Sequence, residues 1–519
     1  MTAPQPASQA PPAVPIPRWL ERPRRADFAA FFAGCLTPLA FAPFGVFPLA
    51  VLAPMLLFLV WRGARPGRAA WRGFLYGLGA FGIGVSWVYV SLHDFGFMPL
   101  PLAAFATLLF VAGLALYPAL LGFVQARVAW LPAGLHLALV LPALWVFGEW
   151  FRGWFLSGFP WLNLGYSQSN SWLAGYAPLA GVYGVSLIVA LSAGLLAAMV
   201  YDRRRALRFY LPALVLLWAG GFAASHIRWV EPTGNVLRVA LVQGNIALAQ
   251  KWQPDYRPAI VDRYVHLSER AGKVDLIVWP EAALPGHLAE FGPTLLPRLT
   301  QLAQTQGADL VFGLVEYDAG ARRYYNSVMR IGVGPATVYR KRHLVPFGEF
   351  LPWPALFGGV IQYLQIPMSN FAAGAPAQPA LRAANQPLAV SVCYEDAFGE
   401  ELLTWLPQAS LMLNVSEDAW FGNSLAPHQR LQMAQLRALE AGRPMVRAAN
   451  TGPSAAIDHT GTVLRRSPQF EPQVLVAQVQ PMRGATPYAR FGNVPIVGLL
   501  GLLLAGAVVA GWRVAWCAR

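Results

Sequence analysis

Charge, cysteine and lysine are scarce in this sequence. Charged side chains make up 12% of its 519 residues against 56% hydrophobic ones, which excludes an ordinary soluble protein. Thiols occur only at Cys35, Cys393 and Cys517. Cys393 stands alone in the long polar segment placed outside a membrane below, so it has no disulfide partner there, and a lone thiol in an oxidising place needs a reason. No second thiol is available for a metal, and His266, His287, His343, His428 and His459 lack ligand-type spacing; neither a metal nor another cofactor is expected. Lysine occurs only at Lys251, Lys273 and Lys341. The N-terminus lacks a basic region, apolar core and cleavage site in signal-peptide order, so its first apolar segment is expected to be retained.

What abounds is uninterrupted apolar sequence. Stretches without Asp, Glu, Lys or Arg run over Phe28–Trp61, Gly73–Leu92, Leu100–Ala126, Trp130–Phe147, Pro178–Tyr201, Phe209–Ala224 and Asn493–Trp512. Each can cross a bilayer, which takes about 20 helical residues. The first is too long for one span and carries Pro38, Pro43 and Pro48 near its middle. Arg18, Arg22, Arg24 and Arg25 precede it and Arg62, Arg65, Arg68 and Arg72 follow it, so a hairpin of two short spans keeps both basic segments cytoplasmic. The alternation then predicts eight spans with both termini inside, and only Arg152 among the short loops lies outside.

The expected domains are a disordered cytoplasmic tail (1–25), seven spans (26–225), an external domain (226–491), and an eighth span with a cytoplasmic C-terminus (492–519). The net charge of +14 is concentrated in the cytoplasmic loops, where topology explains it, so nucleic acid is not expected as a partner. The spans carry no Asp, Glu, Lys or Arg, and His136 is their one ordinary titrating group, which disfavours a transporter.

Between His226 and Asn493 short β-type runs alternate with helical ones. Leu237–Gln243, Val274–Trp279, Leu310–Tyr317, Ser327–Gly332, Leu388–Cys393, Leu411–Val415, Met445–Ala449 and Val474–Val479 read as strands. Arg257–Ala271, Leu295–Gln306 and His428–Arg443 read as helices. A segment of roughly 260 residues buries its own core.

Three residues there carry chemistry. Glu281 closes the run Asp275-Leu-Ile-Val-Trp-Pro-Glu281, where it either faces a cleft or is a solvated loop acid. Lys341 is retained in a chain that otherwise uses Arg, which suits a compact ammonium as well as a surface cation. Cys393 ends an apolar strand just before a helix start, as a nucleophile or as an inert buried thiol. Long apolar connections in compact domains tend to be lids or binding loops, and Leu351–Ala373, with Trp353, Phe357, Tyr363 and Phe371 and no charge, reads as such a loop or as buried core. Trp150, Trp154, Trp161 and Trp172 read as interfacial anchors.

In this order and context, Glu281, Lys341 and Cys393 resemble the Glu-Lys-Cys triad of the nitrilase superfamily. With eight spans around it, the chain resembles the bacterial apolipoprotein N-acyltransferases. The likeness lies in Val242-Gln-Gly-Asn245 with Lys251-Trp252, Trp279-Pro-Glu281, Leu344-Val-Pro-Phe-Gly-Glu349, Cys393-Tyr-Glu395, Asp418-Ala-Trp-Phe-Gly422 and Arg437-Ala-Leu-Glu-Ala-Gly-Arg443. It extends to the loop Glu149-Trp-Phe-Arg-Gly-Trp154 and Gly158-Phe-Pro-Trp161.

The resemblance implies a multi-span α-helical membrane domain plus an α+β nitrilase-like sandwich of α-β-β-α layers. It also implies a monomer in the bacterial inner membrane with its catalytic domain periplasmic. The implied reaction moves the sn-1 acyl chain of a phospholipid to the amine of a diacylated apolipoprotein through a thioester. Glu349 would orient Lys341 or Glu281, Tyr394 and Glu395 would be needed beside the nucleophile, and Trp252 would line the site. Trp420, Trp353 and Phe357 are the further expected substrate contacts. A membrane-tethered amidase or hydrolase using the same triad is the alternative.

Overall fold

The computed structural model describes residues 22–128, 131–352 and 370–517. Trp353, Phe357 and most of the expected lid or binding loop lie outside the described residues, as do residues 1–21 of the expected tail.

The first helix spans Pro23–Leu36, so it begins inside the stretch read as tail. Proline at its start suits the first helical turn, where an N–H has no intrahelical acceptor to lose. A 3-10 turn over Thr37–Ala40 and a reversal lead to the helix Leu49–Trp61. These two arms have 14 and 13 residues, each short of the roughly 20 a crossing takes. The chain thus reverses between two arms that are each shorter than a full crossing. Pro38, Pro43 and Pro48 crowd the turn, and proline interrupts helical hydrogen bonding.

Among the described residues, five helices are long and apolar enough to cross: Leu100–Arg127, Ala133–Arg152, Trp172–Tyr201, Arg203–Ser225 and Val494–Gly511. The pair Pro66–Gly84 and Trp87–Phe95, bent by 52°, is long and apolar enough to make a sixth if it forms one broken span. Arg152, the apparent exception to the charge rule, is buried and ties down the next loop, donating to the carbonyl oxygens of Phe159 (3.1 Å) and Trp161 (2.5 Å) and to Asn163 Oδ1 (2.8 Å). Glu149 on the same helix accepts from Trp145 Nε1 at 3.0 Å and the Leu164 N–H at 2.9 Å.

Beyond Ser225 two six-stranded sheets pack face to face. The first runs Gln473–Val479, Leu237–Gln243, Leu276–Val278, Asp309–Asp318, Arg323–Ile331, Thr337–Arg340. The second runs Val463–Arg466, Ala455–Ile457, Met445–Ala449, Leu411–Ser416, Gln386–Val392, Leu381–Ala383. Central pairs are parallel and outer pairs antiparallel.

The period of two explains the layering. Val239, Leu241, Leu276 and Val278 pack toward the other sheet, whereas Ala240, Val242, Ile277 and Trp279 pack on the helices Arg257–Glu269 and Leu295–Gln306. The helix Ala426–Ala441 covers the second sheet with Leu431, Ala434, Ala438 and Ala441. The result is an α-β-β-α sandwich. A two-stranded ribbon, Val230–Pro232 against Met482–Gly484, ties the two chain segments that lead to the helical part.

The helix Ala426–Ala441 also joins the two parts. Gln429 accepts from Trp161 Nε1 (2.6 Å) and donates to the Gly84 carbonyl (3.1 Å), Gln432 accepts from the Ala42 N–H (3.0 Å), and Glu440 accepts from the Val182 N–H (3.0 Å). Trp161 is thus a buried joint rather than an interfacial anchor, whereas Trp154 and Trp172 are more than half exposed.

Candidate active site

The carboxyl ends of parallel strands are where open α/β sheets gather ligands, and there this chain gathers its polar groups. Glu281 follows Leu276–Val278, Cys393 follows Gln386–Val392, Glu417 follows Leu411–Ser416, and Asn450 follows Met445–Ala449. Lys341 follows the edge strand Thr337–Arg340, and its backbone N–H donates to the Asn326 carbonyl at 2.8 Å.

Glu281 is buried, with Oε1 accepting from Asn326 Nδ2 at 2.7 Å and Oε2 from the Glu417 N–H at 2.9 Å. Lys341 Nζ lies 2.9 and 2.8 Å from the two carboxylate oxygens of Glu349 and 3.8 Å from Glu281 Oε1. Asn326 also donates to Glu349 Oε1 at 2.8 Å, and the Val345 N–H donates to Glu349 Oε2 at 2.9 Å. One amide therefore spans both acids while one ammonium sits between them. Burial works against the Lys341 charge, but Glu349 and then Glu281 overcome it and raise its pKa.

Cys393 is partly buried and starts the turn Cys393–Ala397 with φ +51°. Ala282 (+44°) and Phe347 (+62°) share this left-handed backbone, beside Glu281 and Glu349. Such strain, of order 1–3 kcal/mol per residue, persists where surrounding structure enforces it and clusters at active sites. Burial, followed by the Glu281 charge, outweighs the pull of Arg430 and Lys341 and pushes the Cys393 thiol up to about 12. At neutral pH the group is a protonated thiol and needs a base.

Residues 33–195 match the family described as apolipoprotein N-acyltransferase N-terminal domain, and residues 238–488 match carbon-nitrogen hydrolase. The apolipoprotein N-acyltransferase of Methylococcus capsulatus is 45% identical over 475 residues, 92% of this chain and 94% of its own. That of Nitrosomonas europaea is 45% identical over 489 residues, 93% of this chain and 97% of its own. The chain belongs to the apolipoprotein N-acyltransferase family. Among solved structures, Nit3 of Saccharomyces cerevisiae, a nitrilase-superfamily member, aligns over 49% of this chain and 93% of its own at 19% identity, with a TM-score of 0.38.

In this apolipoprotein N-acyltransferase family member the residues flanking Cys393 do different jobs. Glu395 is buried and accepts from the Tyr339 hydroxyl (3.0 Å) and from the N–H groups of Arg342 (2.7 Å), His343 (3.0 Å) and Val392 (2.7 Å). It ties the Cys393–Ala397 turn to the segment after Lys341, besides reaching back to its own helix start. The Tyr394 hydroxyl donates to the Gly158 carbonyl at 2.7 Å, so this ring docks on the loop after Arg152. Trp252 is half-buried directly after Lys251. Trp420 is also half-buried, its carbonyl accepting from Ser91 Oγ at 2.9 Å on the bent helix pair.

Several site residues escaped the sequence. Lys251, quoted there only in a motif, is buried, pairs with Glu417 and donates to the Glu281 carbonyl at 3.0 Å. Asn450 donates to Glu417 Oε1 at 3.0 Å. Asn326 lies just before the strand read as Ser327–Gly332 and falls inside it only in the structure, where the strand runs Arg323–Ile331.

Gly313 lets the Glu281 turn lie flat on the neighbouring strand. A Cβ there would stand 2.6 Å from the Ala282 nitrogen and the Pro280 oxygen and 2.7 Å from Glu281 Cα. Gly313→Ala is expected to push Glu281 aside and slow turnover by about 100-fold, the effect of a misplacement near 1 Å; single-turnover kinetics with unchanged secondary structure by circular dichroism checks this.

Proposed function

We propose that the chain performs the last step of lipoprotein maturation, moving the sn-1 acyl chain of a phospholipid to the N-terminal amine of a diacylglyceryl-cysteine apolipoprotein through a thioester on Cys393. The observation that carries this reading is the buried set of Glu281, Lys341, Glu349 and Asn326 at a protonated thiol, docked through Tyr394 and the helix Ala426–Ala441 onto an apolar helical bundle. Both substrates are lipids, so a catalyst held at the headgroup level by that bundle meets them without extracting either from the bilayer.

In the first half-reaction Glu281 takes the proton from the thiol as sulfur attacks the ester carbonyl. Lys341 and the Tyr394 N–H hold the oxygen on which charge develops. As the ester C–O bond breaks, Glu281 returns its proton to the departing lysophospholipid. In the second half Glu281 deprotonates the incoming amine, nitrogen attacks the thioester, and sulfur leaves with that proton. The displacement is ping-pong because the acyl group rests on the enzyme between the two lipids. Trp252, Trp420 and the apolar connection bearing Trp353 and Phe357 keep water from the thioester. That connection leaves and returns beside Glu349, since the Phe371 N–H donates to the Glu349 carbonyl at 2.9 Å.

The arginines before and after the spans favour both termini in the cytoplasm of the bacterial inner membrane and the catalytic part in the periplasm. The direct test incubates purified protein with phospholipid and a diacylated lipopeptide. N-acylated peptide is expected; free fatty acid without acylated peptide would instead establish a hydrolase.

Glu349→Gln tests the orienting role. The change removes the nearest partner of Lys341 while keeping its shape. Loss of a charge-assisted bond is worth about 1.5–3 kcal/mol, so turnover is expected to fall by about 10- to 100-fold. Quench-flow measurement of both half-reactions assigns the loss: an intact thioester with slow aminolysis would confine Glu349 to the second step.

A further inference from the structure

We propose that Arg430 is a catalytic residue of this site, a second cation that holds the Cys393 sulfur while it is ionised. This rests on the acyl-transfer reading and deepens it.

The geometry is specific. Arg430 lies on the helix Ala426–Ala441 and is 1% exposed. Its Nη1 stands 3.4 Å from Cys393 Sγ, and the same nitrogen donates to Ser416 Oγ at 2.5 Å and Asp418 Oδ1 at 2.7 Å. Its Nη2 reaches both oxygens of Asp396, at 3.2 and 3.3 Å, three residues beyond the nucleophile. The other oxygen of Asp418 takes Arg447 Nη2 at 2.7 Å. Two guanidinium groups thus face two buried carboxylates and balance them while Cys393 remains a thiol.

Ionisation of sulfur adds a negative charge to this closed set. Guanidinium stays charged at any working pH, so the Nη1–H contact to sulfur becomes charge-assisted when the proton leaves. Lys341 also favours the ionised sulfur, but its ammonium is already shared between Glu349 at 2.9 Å and Glu281 at 3.8 Å. The labour divides: Arg430 holds the sulfur, and Lys341 remains available for the carbonyl oxygen. As the S–C bond forms, charge passes from sulfur to that oxygen and Arg430 keeps Ser416 and Asp418. Lysine could not replace it, since one ammonium cannot present a planar fork to Cys393, Asp418 and Asp396 together.

Four charged groups act on the thiol: Glu281 and Asp418 oppose its ionisation, and Arg430 and Lys341 favour it. Opposite substitutions should therefore have opposite effects. The experiment measures alkylation of Cys393 by iodoacetamide against pH in the full-length protein, with the labelled peptide read by mass spectrometry so that Cys35 and Cys517 do not interfere. Arg430→Gln is expected to move the rate curve to higher pH by a unit or more, lowering the rate at pH 8 by about tenfold or more. Arg430→Lys should fall between it and the unchanged protein. Asp418→Asn should move the curve to lower pH.

Acyl-adduct formation should follow the same displacements. An Arg430→Gln curve that coincides with the unchanged protein's would overturn the proposal, even if acyl transfer is lost, because Arg430 would then act only through Asp396 on the turn. A curve raised by Asp418→Asn overturns it too, and that variant decides if Arg430→Gln does not fold. Alkylation uses no lipid, so failure of the acyl-transfer reading would show in the product assay and leave this readout intact.

Discussion

Cys393→Ala protein should carry no fatty-acyl adduct and form no N-acylated product. The expected loss is to background, on the order of 10⁶-fold for removal of the nucleophile from a covalent catalyst. The argument is chemical as much as geometric. The sulfur lies in a left-handed turn at the end of a parallel strand, against Arg430 and within the field of Glu281 and Lys341. Its proton affinity is high because burial disfavours the thiolate, so the proposed mechanism has a base remove the proton in step with attack. Intact-mass measurement of protein isolated from membranes, followed by peptide mapping, is the check. A fatty-acyl group that survives on the Cys393→Ala protein, or one mapped to Cys35, would end the thioester mechanism.

Lys341→Ala is expected to lower adduct formation by about 10²- to 10³-fold, the usual effect of losing one oxyanion donor, and to destabilise the protein as well. The second effect follows from burial: Glu281 and Glu349 would face each other across an empty space with only Asn326 between them. Breaking a buried ion pair by removing one partner costs about 3–5 kcal/mol. Stability and catalysis can be separated. Lys341→Met combined with Glu349→Gln removes both charges and should recover most of the unfolding free energy, measured by denaturant titration, with adduct formation still depressed. If the double variant regains activity together with stability, Lys341 serves the fold and not the oxyanion. Glu281→Gln should also slow the first half-reaction steeply, because both neighbours of the carboxylate are donors and a carboxamide presents one of them with an N–H.

The strands that sequence alone located, such as Leu237–Gln243 and Met445–Ala449, are mostly apolar on both faces, with Arg238 and Arg447 the charged positions inside them, as sheets covered on both faces favour. Those it missed, Thr337–Arg340, Leu381–Ala383, Ala455–Ile457 and Val463–Arg466, are three or four residues long at or near sheet edges. Too few alternating positions exist there for a period to show. Glu281, Lys341 and Cys393 were visible because each interrupts its local pattern: an acid closing an apolar strand, a lysine among arginines, a thiol without a mate. Arg430 was not visible, because one arginine in a polar-looking helix carries no local signal. The acceptors of Arg152 were equally invisible, since a loop charge shows no partner until the chain has folded.

Local chemistry dictated the membrane-crossing helices, the alternation that buries each central strand, and the types of residue able to make and hold a thioester. These depend on hydropathy and short-range periodicity, which are written along the chain. Tertiary packing alone decided which charges meet: that Lys341 lies between Glu349 and Glu281, that Lys251 backs Glu417, that Arg430 touches sulfur, and that one helix carries both the bundle contacts and the site cation. The partners are separated by as many as 166 residues. Coulomb interactions reach only a few ångströms at useful strength once water intervenes, so no reading along the sequence could pair them before the sheets had closed.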